Sequence, residues 1–176
     1  MFLNPQELLD RVQIRSGSRV GDFGTGSGEL ALAVAKKMGP EVTIYAFDPM
    51  YANLDRLRRE ASLVRSVFYT IQADLNAHIP IRDSLLSMAI VVNTLFAIRE
   101  RERFVRELAR VMKPDGIVLF ADWIGSFNNL GPVEADIVTP SDAQQLFRSN
   151  GFAIRSPIPA GTHHYAFTAE RTLMSA

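Results

Sequence analysis

The sequence predicts an α/β fold built on a doubly wound parallel sheet. Short apolar runs with strand character alternate with amphipathic helical segments along most of the chain. A glycine-rich loop joins the first strand to the helix after it. Right-handed crossovers between successive parallel strands then place helices on both faces.

The elements follow in order. "NPQELLDRVQI" begins with Asn4 as a helix N-cap, Pro5 at the first helical position and Glu7 three residues after the cap. Leu8, Leu9 and Val12 share one face of that helix. "SRVGDFG" reads as a short buried strand, and Glu29 to Met38 as a helix stopped by Gly39. "EVTIYAFD" is a second strand. "MYANLDRLRREASLV" is a helix with Leu54, Leu57 and Ala61 turned inward. "VFYTIQAD" and "LLSMAIVVNTLF" supply the third and fourth strands. In "ERERFVRELARVMK", Phe104, Val105, Leu108, Val111 and Met112 form one apolar stripe. Pro114 to Gly116 turn the chain into "IVLFADW", the fifth strand.

Beyond Trp123 the texture changes. "IGSFNNLGPVEADIV" is loop-like, and "TPSDAQQLFRSNG" is another capped helix. "FAIRSPIPAGTHHYAFTAER" reads as two strands joined too tightly for a crossover helix, an antiparallel pair closing the sheet. No repeat, low-complexity segment or linker interrupts the pattern, so residues 1–176 are expected to form a single domain.

Composition narrows the chemistry. The chain has 176 residues, 47% of them hydrophobic, enough for one ordinary core. Its 19 basic and 19 acidic side chains cancel, leaving no general field for a polyanion and arguing against nucleic acid. The arginines of the third and fourth helices interleave with glutamates opposite apolar stripes, as solvated faces do. With no cysteine there is no disulfide, thiolate metal site or cysteine nucleophile, and three histidines lack ligand spacing, so no metal is expected. Neither a secretory signal nor an apolar run of the ~18 residues a membrane span needs is visible, and the expected location is cytoplasmic.

Ligands of open parallel sheets sit beyond the carboxyl ends of the strands. The glycine loop, Asp48, Asp74 and Asn93 all fall at or just after predicted strand ends. A strand-to-helix turn alone needs one or two glycines, whereas Gly24, Gly26 and Gly28 alternate. Asp22 is a carboxylate inside a buried strand, costly unless it meets a polar partner. It serves either as a structural acceptor for loop amides or as a ligand contact. Asp48 is either a turn residue before Pro49 or, 20 residues after Gly28, an acceptor for ribose hydroxyls. Asp74 and Asn93 are weaker signals, because such residues collect in ordinary loops.

Gly26, Gly28 and Ala31 also match the G-x-G-x-x-A spacing of dinucleotide sites, with Asp48 as the expected acid. Asp22, two positions before the first glycine, would repel a pyrophosphate. A ligand with ammonium and sulfonium charges would not be repelled. No Gly-Lys-Ser/Thr follows the loop, which excludes a P-loop. The loop and the helix N-terminus therefore suit the carboxylate of an amino-acid moiety, with Asp22 on its amino side.

Residues Asp22-Phe-Gly-Thr-Gly-Ser-Gly28, Phe47-Asp48-Pro49, Gln72-Ala73-Asp74-Leu75 and "ELARVMKPDGIVLFADW" resemble the class I S-adenosylmethionine-dependent methyltransferases. Within them the chain is most similar to the quinone-biosynthesis C-methyltransferases and their small methyltransferase-domain relatives. The resemblance covers roughly residues 15 to 125. It implies a Rossmann-like seven-stranded sheet in the order 3-2-1-4-5-7-6 with strand seven antiparallel. It implies S-adenosylmethionine as cofactor and S-adenosylhomocysteine as product. Asp22, Phe23, Gly24, Thr25, Gly26 and Gly28 would hold the methionine part, and Asp48 the ribose. Pro49 and Met50 would pack near the adenine, while Asp74 takes its amino group and Ala73 and Leu75 flank it. Asn93 would approach the methionine end and face the acceptor.

Departures from the family pattern shape the acceptor side. Only about 18 residues precede the first strand, so the site is expected to be open, covered by Phe2 to Asp10, by a second copy of the chain, or by the substrate. The Asn/Asp-Pro-Pro-Tyr/Phe motif of amino-group methyltransferases is absent, the sequence reading Asn93-Thr-Leu-Phe96. A small-molecule acceptor is the favoured partner. Asp122, His163 and His164 are the candidate bases, the histidines reading first as surface-hairpin residues. Trp123 and Phe127 are candidates for an apolar wall, Trp123 equally for plain core. The alternatives are an NAD(P)-dependent oxidoreductase on the same sheet and a non-catalytic S-adenosylmethionine-binding module.

Overall fold

The computed structural model describes residues 3–127 and 130–172. Seven strands make one sheet: β1 (Arg19–Phe23), β2 (Thr43–Asp48), β3 (Val67–Gln72), β4 (Leu86–Val92), β5 (Met112–Trp123), β6 (Phe152–Ile158) and β7 (His164–Arg171). Their order is β3-β2-β1-β4-β5-β7-β6. The first five pair in parallel, while β7 runs antiparallel to both β5 and β6. This is the predicted architecture.

Among the described residues five α-helices cover the two faces: α1 (Pro5–Leu9), α2 (Glu29–Met38), α3 (Tyr51–Ala61), α4 (Arg101–Val111) and α5 (Pro140–Ser149). Strand side chains alternate between faces, and the core divides accordingly. One cluster joins Leu8 and Leu9 of α1, Ala31 and Val34 of α2 and Leu57 of α3 to Val20, Ile44, Ile90 and Leu119 of the sheet. The other joins Phe104 and Leu108 of α4 and Phe147 of α5 to Phe23, Phe47, Val91 and Phe120. Phe23 and Phe47 stack across β1 and β2 with centroids 4.7 Å apart.

Local chemistry sets the helix ends. Asn4 Oδ1 accepts the main-chain N–H groups of Gln6 and Glu7, and Thr139 Oγ1 accepts that of Asp142. Both helices carry proline in their first turn. The first helix is shorter than its pattern suggested. Asp10 ends it, and Val12 packs on the core from the segment that follows. β5 begins earlier than expected because Met112 pairs with Leu86. The Pro114–Gly116 turn is then carried as an irregularity inside the strand, with Asp115 at φ +61°.

Candidate functional site

The carboxyl ends of β1, β4 and β5 and the start of β7 form one rim of the sheet. A cavity of about 380 Å³ opens there. Of the predicted site residues, Asp22, Gly24, Thr25, Gly26 and Asn93 line it. Trp123 and His164 line it as well, as do Leu3, Pro5 and Ser27, together with Glu29, Leu30 and Val92, for which the sequence carried no separate signal. Leu3 and Pro5 supply part of the expected N-terminal cover; Phe2 lies outside the described residues.

Asp22 is the buried acid of the cavity, 3% exposed at the end of β1. One carboxylate oxygen accepts the Thr25 hydroxyl at 2.6 Å, and the main chain of Ala31 in α2 also supports it. Burial pushes its pKa up to about 6, against these hydrogen bonds and with the Asp48 charge adding to the rise. Asp22 is thus both a structural acceptor for the loop and part of the cavity wall.

The loop is held open from behind. Gly24 and Thr25 donate main-chain N–H groups to the Phe47 carbonyl at 2.8 and 3.0 Å. Gly24 has φ +71°, and a Cβ there would lie 2.7 Å from Thr94 Oγ1, whose hydroxyl bonds the Phe23 carbonyl at 2.8 Å. Thr94 therefore braces the loop, a role invisible in a residue that merely follows a strand. At Gly26 a Cβ would meet nothing closer than 3.9 Å, so the bare backbone there faces open space. Gly28, at φ +78°, packs behind the loop against Leu57 and starts α2. A helix N-terminus and bare main chain beside a buried carboxylate suit both ends of a zwitterionic amino acid.

The remaining predicted residues do not line this cavity. Asp48 is 3% exposed, and both its oxygens are engaged. Oδ2 accepts Gly26 N–H at 2.9 Å, and Oδ1 accepts Met50 N–H and the Asn53 amide at 2.9 and 3.0 Å. Ala73 joins β3 to this corner by donating to the Asp48 carbonyl at 3.2 Å. Asp74 forms a turn with Asn76, whose main-chain and side-chain N–H groups both bond Oδ1 at 2.9 Å. These bonds hold its carboxyl below the usual range. Pro49 and Met50 are exposed beside it, whereas Leu75 and Phe23 are buried in the core. Asn93 sits at φ +52°, which asparagine tolerates better than most residues, and donates its N–H to the Ala121 carbonyl.

The three candidate bases separate clearly. Asp122 is 1% exposed and, as the neighbour of Trp123 in β5, falls on the other face of the sheet by strand alternation. It accepts main-chain N–H groups of Phe96 and Trp123 at 3.0 and 2.9 Å, and burial lifts its pKa to about 6. It does not line the cavity. His163 packs edge-on against Phe127, centroids 4.6 Å apart, outside the lining. His164 is only 6% exposed, which corrects its surface-hairpin reading. It pairs with Trp123 across β5 and β7, their rings 4.2 Å apart, and burial lowers its pKa. Trp123 is likewise cavity wall, whereas Phe127 is not among the lining residues.

Among the described residues no cluster of acids and histidines would hold a metal ion, and no helix is long and apolar enough to cross a membrane.

This fold and rim define an open α/β class with a cavity at the carboxyl ends of its strands, and comparison with known proteins sharpens it. The methyltransferase-domain family model matches residues 21–120, and the chain belongs to that family. The family's cofactor is S-adenosylmethionine, with S-adenosylhomocysteine as its product. The methyltransferase GfsG of Streptomyces halstedii is 28% identical over 119 residues, 66% of this chain and 42% of that protein. The ubiquinone/menaquinone biosynthesis C-methyltransferase UbiE of Cupriavidus pinatubonensis is 27% identical over 115 residues, 65% of this chain and 47% of that protein. The chain thus spans about half the length of these relatives. Among solved structures, a SAM-dependent methyltransferase from Aquifex aeolicus shares the fold with a TM-score of 0.87 at 20% identity, covering 97% of this chain and 91% of that one. The cyclase SpnF shares it with a TM-score of 0.81 at 17% identity, covering 96% and 80%.

Proposed function

We propose that this chain transfers a methyl group from S-adenosylmethionine to a small-molecule acceptor held in the rim cavity. The observation that carries the reading is Asp22, a buried carboxylate set beside bare glycine backbone at the start of α2 and open to the cavity. A pyrophosphate would meet that carboxylate at close range, which disfavours the nicotinamide alternative. The ammonium of an amino-acid tail is attracted to it.

The assignment of roles follows the rim. Asp22, Thr25 and the Gly24–Gly28 loop take the amino-acid tail. Asp48, which already buckles the loop, takes the ribose hydroxyls, and Met50, Asp74 and Leu75 border the adenine. Asn93 stands between the cofactor and the acceptor. Bound S-adenosylmethionine supplies an electrophilic methyl group on a sulfonium. The chain contributes orientation and exclusion of water, and positioning of this kind is worth on the order of 7–11 kcal/mol. Val92, Leu30 and Trp123 form the apolar side of the cavity, which suits a small organic acceptor better than a polynucleotide. The match to SpnF, a cyclase, keeps the reaction a matter for the site rather than the fold.

Calorimetric titration of wild type and Asp22→Ala with S-adenosylhomocysteine tests the reading. Asp22→Ala is expected to weaken binding at least tenfold while the fold, followed by circular dichroism, persists. Equal affinity in both proteins contradicts it.

A further inference from the structure

Among the described residues neither ring nitrogen of His164 has a hydrogen-bond partner, and both are shielded from water. An unpaired buried polar group is costly, so such a group in a cavity wall needs an explanation. The described residues offer none. His164 packs on Trp123 from β7 with the two rings tilted by 41°, and Leu3, Leu30 and Val92 are among the other residues of the lining. The acids in the lining, Asp22 and Glu29, stand at the glycine loop and the first turn of α2.

We propose that His164 is the polar anchor and proton acceptor of the methyl-acceptor subsite, and that the acceptor is a planar hydroxyl compound, a phenol or a stabilised enol. This rests on the cofactor reading above and extends it to the substrate. A flat ring would lie along the apolar lining that Trp123 shares with Val92 and Leu30, and its hydroxyl would meet the imidazole once the His164 ring turns about Cβ–Cγ. Desolvation keeps the imidazole neutral and able to take a proton. In the transfer, a lone pair on the acceptor oxygen forms the new bond to the methyl carbon. The carbon–sulfur bond breaks with its pair staying on sulfur, and the hydroxyl proton passes to a ring nitrogen of His164, to be released to solvent once the methylated product has left. A hydroxyl suits this base because it keeps a lone pair for attack while still protonated. An alkylammonium, with a pKa of ~10.4, has no lone pair until it has lost its proton, and a weakly basic imidazole removes that proton poorly.

The test uses protein saturated with S-adenosylhomocysteine and, as probes, 4-nitrophenol, 1-naphthol and catechol, each against its hydroxyl-free parent ring. Calorimetry on wild type is expected to show at least tenfold tighter binding of one or more hydroxyl compounds than of the parent. His164→Phe should abolish that preference while S-adenosylhomocysteine affinity stays within threefold. His164→Gln, which keeps a hydrogen bond but not a base, should retain binding yet lose methyl transfer to the same compound by about 100-fold or more. A hydroxyl preference surviving in His164→Phe, absence of any such preference in wild type, or wild-type turnover in His164→Gln overturns the proposal. Failure of S-adenosylhomocysteine to bind wild type overturns the cofactor reading and this one with it. Cofactor binding without hydroxyl preference overturns this one alone.

Discussion

Asp48, at the end of β2, accepts the main-chain N–H of Gly26 at 2.9 Å, tying the glycine loop to the next strand across 22 residues. Its second oxygen holds the start of α3 through Met50 and Asn53. The same carboxylate that borders the rim thus fixes the shape of the loop. Asp48→Ala is expected to weaken S-adenosylhomocysteine binding by about 1–3 kcal/mol in calorimetry, the scale of one lost buried hydrogen bond. Unchanged affinity would remove Asp48 from the ligand's surroundings.

The ionisation of Asp22 gives a pH signature. Its folded pKa, about 6, lies above its ordinary value of 3.8, so between these values the folded chain holds a proton that the unfolded chain releases. Stability from this group is therefore full below about pH 4 and is lost as pH rises toward 6. Urea denaturation of Asp22→Asn should show a flatter dependence than wild type across that window. An ammonium group beside Asp22 favours the charged form, so ligand binding near pH 6 should release a proton. Calorimetry in two buffers of different ionisation enthalpy should detect that release in wild type and not in Asp22→Asn.

Glu107 and Arg110 clamp the segment between β3 and β4 onto α4. Arg110 donates to the carbonyls of Ile79 and Ile81 at 2.8 and 3.0 Å, and Glu107 accepts the N–H of Ile79 at 2.9 Å. Arg110 also bonds Glu107 directly at 2.8 Å, which holds the Glu107 carboxyl down to about 2. That stabilisation is complete above 4.5 and is lost as pH falls through about 2. Glu107→Gln is expected to cost about 1.5–3 kcal/mol at pH 7 by urea denaturation, the difference from wild type shrinking toward pH 2.

Two glycines separate backbone strain from crowding. Gly17 and Gly28 have φ of +77° and +78°. A Cβ at Gly17 meets nothing within 4 Å, whereas one at Gly28 lies 2.6 Å from Leu57 Cδ1. Gly17→Ala should cost about 1–2 kcal/mol, the left-handed backbone term alone. Gly28→Ala should cost more, because Leu57 must also move. Equal losses in thermal denaturation would show that Leu57 gives way freely.

Local patterns were readable in the chain: the caps at Asn4 and Thr139, the apolar stripe of α4 and the glycine loop after β1 all depend on neighbours a few residues away. The strand order came from the family resemblance, and the sheet has it. The acceptor side was harder, because successive strand residues point to opposite faces. Asp122 and Trp123 are adjacent, yet one holds the turn at Phe96 and the other walls the cavity. Only the pairing of Trp123 with His164 shows which histidine joins it. Thr94 was missed for a similar reason, since its contact with Gly24 spans two strands and leaves no periodic trace. Leu3 and Pro5 reach the cavity through the packing of α1 on α2, a tertiary contact rather than a motif.

The central claim is that the rim cavity beside Asp22 takes a sulfonium nucleoside rather than a dinucleotide. Parallel calorimetric titrations of the wild-type chain with S-adenosylhomocysteine and with NADH test it most directly. One-to-one saturable heat with S-adenosylhomocysteine and none with NADH is the predicted result. Saturation by NADH with silence toward S-adenosylhomocysteine would contradict it.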